Sequence, residues 1–460
     1  MLYWLKRICK FLRIFPPLQR GAYLFSMKLD LVTDKTFYKS MLAIVIPVAL
    51  QSAINTAVNM LDTIMLGSFG EIQLSASSIA NSYYSFYVIL CMGIIGGCSV
   101  LVAQFYGAGE MEKARQTFSL AARMAFVIGL VFALITWFFP DNIMRLFTDE
   151  SAVITEGVKY LKITAFIFVI HGLSTVISFL MRSVRVASLG LYVSVASFFV
   201  NLFANWVFIF GKFGMPRMEI AGAALGTLIA RAVELGVTIV YVFFIDKVLD
   251  LRFRDILKNP PADIMKKYFR AGAPALISDC LLGMGNTAIT MVLGRMGAGV
   301  VAANSICQVL DRLITVVIQG VANAASILTG NTVGMGERDR AMKEGNTFYL
   351  ISIAIGLITG ALVLILGPLS MRLYNITDET IEITRHMMYA YSFITVFSCI
   401  QSVMTKGVLR GGGDTRFLMV ADILFMWIVS IPLGLVAGTL LHGPGWLVII
   451  CLRIDFVIKS

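Results

Sequence analysis

The sequence predicts an all-α integral membrane protein of about twelve transmembrane helices, built as two six-helix halves. Three observations carry that prediction. Of 460 residues, 58% are hydrophobic and only 14% charged, against about 25% charged in soluble domains, and the mean hydropathy is +0.83. The charges cluster between apolar runs of roughly twenty residues, the length of helix that crosses a bilayer. Finally, the chain repeats itself at a fixed offset, the mark of two copies of one unit.

Taken in order, residues 1–36 form a basic, aromatic extension with Lys6, Arg7, Lys10, Arg13, Arg20 and Lys28. Its apolar stretches are too short for a signal core or a span. Met27-Lys28-Leu29-Asp30 directly precedes the first long apolar run, so Met27 is an expected start, with a basic arm on the inner leaflet as the alternative. Apolar segments follow at roughly 40–62, 78–103, 118–139, 158–180, 188–210, 220–245, 271–293, 300–330, 347–367, 386–408, 417–441 and 445–458. The loop between the sixth and seventh carries Lys247, Arg252, Arg254, Lys258, Lys266, Lys267 and Arg270 together with Asn259-Pro260-Pro261, a run that no helix interior tolerates. It divides the chain into a first bundle at 37–250, a cytoplasmic linker at 251–268 and a second bundle at 269–460. Trp446 to Ile458 makes only about 20 Å of helix against an apolar core of ~30 Å, so the last helix is expected to be truncated.

The net charge of +11 does not point to nucleic acid. Lys and Arg concentrate in alternate loops, as orientation in a bilayer requires, and this places the N-terminus in the cytoplasm. Cys9, Cys91, Cys98, Cys280, Cys307, Cys399 and Cys451 form no C-x-x-C pair and lie mostly in apolar segments, so neither a disulfide framework nor a zinc site is expected. His171, His386 and His442 stand singly.

The two halves are related by an ungapped shift of 227 positions. Residues 47–114 then match residues 274–341 at sixteen of 68 positions, among them Pro47 with Pro274, Asn59 with Asn286, Gly93 with Gly320, Gly107 with Gly334 and Gly109-Glu110 with Gly336-Glu337. Six helices per repeat insert both halves the same way up. Their symmetry axis therefore runs along the membrane normal, with a cavity between them.

An ionisable side chain in the hydrocarbon costs roughly 2.5–3.5 kcal/mol on insertion scales, so each one asks for a reason. Asp62 stands in the outer half of the first helix, and its repeat mate is Ile289, so scaffold symmetry does not explain it. Gln51, Asn55 and Asn59 recur every four residues as a polar stripe on the same helix. Arg231 and Glu234 are three apart and are expected to pair. Asp311 in the eighth segment either faces the cavity or serves packing, and Asp422 in the eleventh is equally ambiguous.

Several segments resemble one family. Leu61-Asp62-Thr63-Ile64-Met65-Leu66-Gly67 is similar to the V-D-T-x-x-x-G signature of MATE transporters. Gln104-Phe105-Tyr106-Gly107-Ala108-Gly109 resembles their A-Q-x-x-G-A-G loop, and Leu409-Arg410-Gly411-Gly412-Gly413-Asp414-Thr415 their L-R-G-x-G-D-T turn. Asn201-Leu202-Phe203-Ala204-Asn205-Trp206 and Ala221-Gly222-Ala223-Ala224 resemble the fifth helix and the start of the sixth.

The resemblance implies the MOP-flippase superfamily fold and a monomeric antiporter in the plasma membrane. It would export amphipathic organic cations in exchange for H⁺ or Na⁺, with no cofactor and no enzymatic step. It implies a coupling site of Asp62, Asn201, Asn205 and Thr227 in the first half, and a substrate cavity lined by Gln51, Asn55, Asn59, Asp279, Asn286, Gln308 and Asp311.

There are departures from the family pattern. The first-half counterpart of the glycine turn, Met181-Arg182-Ser183-Val184-Arg185-Val186, lacks the glycine and the aspartate. Where the NorM branch places second-half carboxylates, Leu282 and Cys399 stand here, with Asp279 one turn from Leu282 as the alternative. The competing reading within the superfamily is a flippase for a lipid-linked saccharide or peptidoglycan precursor. Intramembrane hydrolases and ATP-driven pumps are disfavoured because no H-E-x-x-H, G-x-S-x-G or G-x-x-x-x-G-K-[ST] motif occurs.

Overall fold

The computed structural model describes residues 30–67, 71–252, 254–255, 261–371 and 377–460, and the regular structure among them is helical. The basic arm before residue 30, Asn259-Pro260 of the linker, and the side chains of Asn59 and Asp62 lie outside the described residues. The first half comprises α1 (Lys35–Gly67), α2 (Glu71–Gly107), α3 (Met111–Phe138), α4 (Ser151–Ser183), α5 (Ser188–Phe210) and α6 (Glu219–Ile245). The second comprises α7 (Ala262–Gly294), α8a (Ala298–Ile314) and α8b (Val316–Gly334), α9 (Arg338–Met371), α10 (Asp378–Gly412), α11 (Thr415–Leu440) and α12 (Gly445–Leu452 and Ile454–Lys459).

Ten of these helices are long and apolar enough to span a membrane, and α8a with α8b, bent by 52°, brings the number to eleven. α12 is interrupted at Arg453 and falls short. Each predicted segment nevertheless has its helix, and most helices run past the apolar run. α7 begins at Ala262, inside the stretch expected to be linker. Its first turns are amphipathic. Asp263 pairs with Lys267 at 3.3 Å on the solvent side, while Ile264 and Tyr268 are buried against the core of the first half.

Pro47 in α1 and Pro274 in α7 sit inside their helices at matching repeat positions (274 − 47 = 227). A proline ring there removes one ladder hydrogen bond and promotes a bend. α1 is entered through Asp34, whose carboxylate accepts the Thr36 N–H at 2.9 Å and the Thr36 hydroxyl. Those two bonds hold its pKa below the ordinary aspartate value.

Each half has its own apolar core. Ile94, Phe118, Leu180 and Met181 centre the first and Val292, Ile306, Met387 and Val448 the second. A third cluster lies between the halves, where Val45 and Val48 of α1 meet Ile318 and Val321 of α8b and Val403 of α10. Phe199, Phe244, Leu357 and Ile365 are among many large side chains left exposed on the perimeter. So wide an apolar girdle suits lipid rather than water.

Close approaches between the halves occur where glycine removes the side chain. Gly97 of α2 meets Gly272 of α7, where a Cβ on Gly97 would lie 2.5 Å from the Gly272 Cα. Gly320 of α8b meets α1, where a Cβ would lie 2.7 Å from the Val45 carbonyl oxygen. The repeat thus places α2 on α7 and α8b on α1 in the same manner.

Candidate functional site

A cavity of about 1060 Å³ lies between the halves, bounded by α1, α2, α4, α5 and α6 and by α7, α8b and α10. One end is closed by the C-terminal turns of α2 and α8b, on the face that carries the basic loops. Their sequences are repeat mates, and they cross symmetrically. A Cβ on Gly107 would lie 2.0 Å from the Asn331 carbonyl oxygen, and one on Gly334 would lie 2.1 Å from the Gln104 carbonyl oxygen, so only glycine lets the two backbones meet. Gln104 and Asn331 are themselves repeat mates (331 − 104 = 227).

Both of those side-chain amides reach across to the opposite half. Gln104 donates to the Gly411 carbonyl at 3.4 Å. Asn331 donates to the carbonyls of Ala103 at 3.1 Å and Ser183 at 3.2 Å, and accepts from Arg185 Nε at 2.8 Å. The loops beyond turn on Gly109 (φ 76) and Gly336 (φ 82), again mates.

The glycine turn after α10 explains its own motif. Gly413 takes φ 90 in the left-handed region, and the Asp414 side chain then caps α11 by accepting the Phe417 N–H at 3.3 Å. At the corresponding place in the first half (413 − 185 = 228), Arg185 holds φ 68. A side chain in that region costs roughly 1–2 kcal/mol, and the bond from its guanidinium to Asn331 offsets the cost. The departure from the family pattern therefore exchanges a free turn for a tether between the halves.

Above this floor charged and polar groups are set into an otherwise apolar wall. Arg182, at the end of α4, is 4% exposed. It donates to Gln51 Oε1 of α1 and stacks 4.1 Å over the Phe179 ring. Arg410 of α10 occupies the same place in the second half and pairs with Asp279 of α7 at 2.8 Å. Lys406 stands one turn before Arg410 and also lines the cavity.

Further along the first-half wall, Glu234 of α6 binds Arg231 at 2.6 Å and accepts from Ser174 at 2.9 Å, with His171 Nδ1 at 3.8 Å. The pairing expected from the Arg231–Glu234 spacing is present, and it faces the cavity rather than lipid.

Of the residues expected to couple a cation, Asn201 and Thr227 are on the cavity wall. Asn205 is fully buried behind Asn201 and donates to its Oδ1 at 3.2 Å. The expected substrate residues divide more sharply. Gln51, Asn55 and Asp279 line the cavity. Asn286, Gln308 and Asp311 do not: Asn286 is exposed elsewhere on α7, and the other two turn into the second half. There Asp311 accepts from Thr395 at 2.8 Å beside the Tyr391–Asn304 hydrogen bond of 2.7 Å. Asp422 is likewise off the wall, held by Ser278 and by Lys459 at 2.8 Å.

Lys406, Arg182 and His171 were not singled out as wall residues from the sequence. The available signal was Lys406 inside the apolar segment 386–408, an intramembrane charge with no partner at helical spacing.

Two six-helix units around a cavity of mixed apolar and charged lining, closed at one end by symmetric helix ends, have the architecture of a transporter of the MOP superfamily. A transporter of that superfamily from Pyrococcus furiosus superposes with a TM-score of 0.81 at 19% identity, over 92% of this chain and 94% of that one. A variant of the Vibrio cholerae MATE transporter VcmN superposes with a TM-score of 0.83 at 15% identity, over 92% and 94%. The MatE family profile matches residues 47–207 and 274–436, and the chain belongs to that family. The two matches start 227 residues apart (274 − 47), the offset of the internal repeat. A probable multidrug resistance protein NorM of Thermotoga maritima is 23% identical over 399 residues, 86% of this chain and 85% of that one. The uncharacterized transporter YisQ of Bacillus subtilis is 21% identical over 422 residues, 91% of each.

Proposed function

We propose that this chain is a secondary antiporter of the plasma membrane that exports amphipathic small molecules in exchange for inward-moving cations. The observation that supports it most is the cavity between duplicated halves, closed at the basic face by contacts small enough to part. With the basic loops in the cytoplasm, this is a state closed to the cytoplasm, and rocking of the halves would open it there.

The coupling site is assigned to the first half, with Asp62 as its charge and Asn201, Asn205 and Thr227 as neutral oxygens. Na⁺ sites gain affinity with ligand charge, whereas a single desolvated carboxylate takes a proton readily near neutral pH, so protons are the favoured coupling ion. Asp62→Asn is expected to abolish cation-driven accumulation of an organic dye in everted vesicles while leaving the folded yield near wild type. Wild-type export by that variant would end the assignment, and export driven by sodium with the pH gradient collapsed would overturn the proton preference.

A lipid-linked precursor flippase is the second reading. It draws on the basic residues of the cavity floor, which suit a phosphate-bearing head.

A further inference from the structure

The charge on the cavity wall does not suit a cationic cargo. Among the described lining residues, Arg182, Arg231, Lys406 and Arg410 stand against Glu234 and Asp279, four cations against two carboxylates. Arg231 is neutralised by Glu234 and Arg410 by Asp279. Arg182 and Lys406 remain. Among the described residues Arg182 hydrogen-bonds to the neutral Gln51 amide and stacks on Phe179, and its Nε, like that of Arg410, has no hydrogen-bond partner there. Lys406 feels the charges of Asp279, Arg410, Asp422 and Lys459, of which Asp279 is paired with Arg410 and Asp422 with Lys459, and it forms no salt bridge with a described carboxylate.

A buried cation without a counter-charge is costly, and it becomes stable when an anion arrives. Along α1 the backbone position of Asp62, the residue assigned to coupling, is eleven residues beyond Gln51, about 16 Å of helix rise. The rest of the cavity supplies apolar surface from Tyr84, Val88, Met92 and Phe168.

We propose that Arg182, Lys406 and Arg410 form a binding site for the anionic head, carboxylate, sulfonate or phosphate, of an amphipathic cargo. The site departs from the organic-cation cargo that the resemblance implies. Transport of the bound ligand rests on the antiporter reading; the site itself does not.

Binding tests it directly. The full chain, purified in a neutral detergent, is titrated with radiolabelled taurocholate, with farnesyl phosphate and with ethidium. Saturable binding of either anion, tighter than ethidium, is the expected result. Taurocholate alone marks a free organic anion as the ligand and farnesyl phosphate alone a lipid phosphate.

Lys406→Gln breaks no described contact and is expected to weaken anion binding about tenfold, the scale of one charge contact in a partly desolvated site. Arg182→Gln is expected to do the same and Arg182→Lys to restore most of it. Asp279→Asn removes the counter-charge and is expected to tighten binding, a direction that simple structural damage does not produce. Ethidium bound in preference to both anions, no anion binding at all, or anion affinities indifferent to all of these changes would overturn the proposal. Gradient-driven movement of the probes in proteoliposomes is scored separately. Anion binding without any transport would sink the antiporter reading and leave the site standing.

Discussion

The two halves share a backbone plan and both send charge to the cavity wall, but among the described residues only the second also seals a dense ionic cluster inside its packing. In the first, Glu234, Arg231 and His171 meet on the cavity wall, and Arg182 reaches the floor with a neutral partner. In the second, the densest ionic cluster is sealed inside the packing. Lys459, 2% exposed at its side chain, lies 2.8 Å from Asp422 and 3.0 Å from Asp455, with Ser278 and Ser430 completing the shell. Asp311 is also turned inward, on Thr395. The same helices occur twice, yet the first half turns most of its intramembrane charge to the cavity, while the second keeps a sealed cluster beside the Asp279, Lys406 and Arg410 that it lends to the wall.

That contrast can be broken by substitution. Lys459→Met should have the largest effect, because it leaves Asp422 and Asp455 buried without their cation, a loss of about 3–5 kcal/mol. It should appear as a collapse of monodisperse protein in size-exclusion profiles, and an intact profile with a normal melting temperature would show that the cluster is not a brace. Glu234→Gln should cost less, about 1–3 kcal/mol for a charged hydrogen bond, since Arg231 can turn toward the cavity. Its transport rate should fall further than its stability does. If transport and folded yield fall in step, the two clusters play the same part. Thr395→Val should be mildest, about 1 kcal/mol for one hydrogen bond to Asp311, with dye export per folded molecule unchanged. Lost export there would bring the interior of the second half, around Asp311, into the site.

Much of the fold was legible because it rests on periodicity. The 227-residue offset alone pairs Gly107 with Gly334, and the crossing of those two helix ends explains why both positions are glycine. The spacing of Arg231 and Glu234 was enough to predict their pair. The floor of the cavity was not legible, since Arg182 and Arg410 lie 228 positions apart (410 − 182) and reach one cavity only through helix packing. Asp311 stayed open between cavity and packing for a related reason. A helix in such a bundle touches lipid, cavity and its own half, and a polar residue can face either of the last two. Arg185 shows a further limit: loss of a glycine from a motif suggests loss of its turn, yet the turn persists with a side chain in the left-handed region.

The meeting of Gly107 with Asn331 has a practical consequence. An added methyl would lie 2.0 Å from a backbone oxygen here, yet it would meet nothing once the two helix ends had separated. Gly107→Ala should therefore act as a doorstop, penalising one member of the conformational cycle and leaving the other untouched. A cysteine placed at Ser326, on the cavity wall, should then react faster with an impermeant thiol reagent applied from the side of the basic loops, and unchanged labelling would rule the doorstop out. One carbon atom would hold the transporter in the state opposite to the one described.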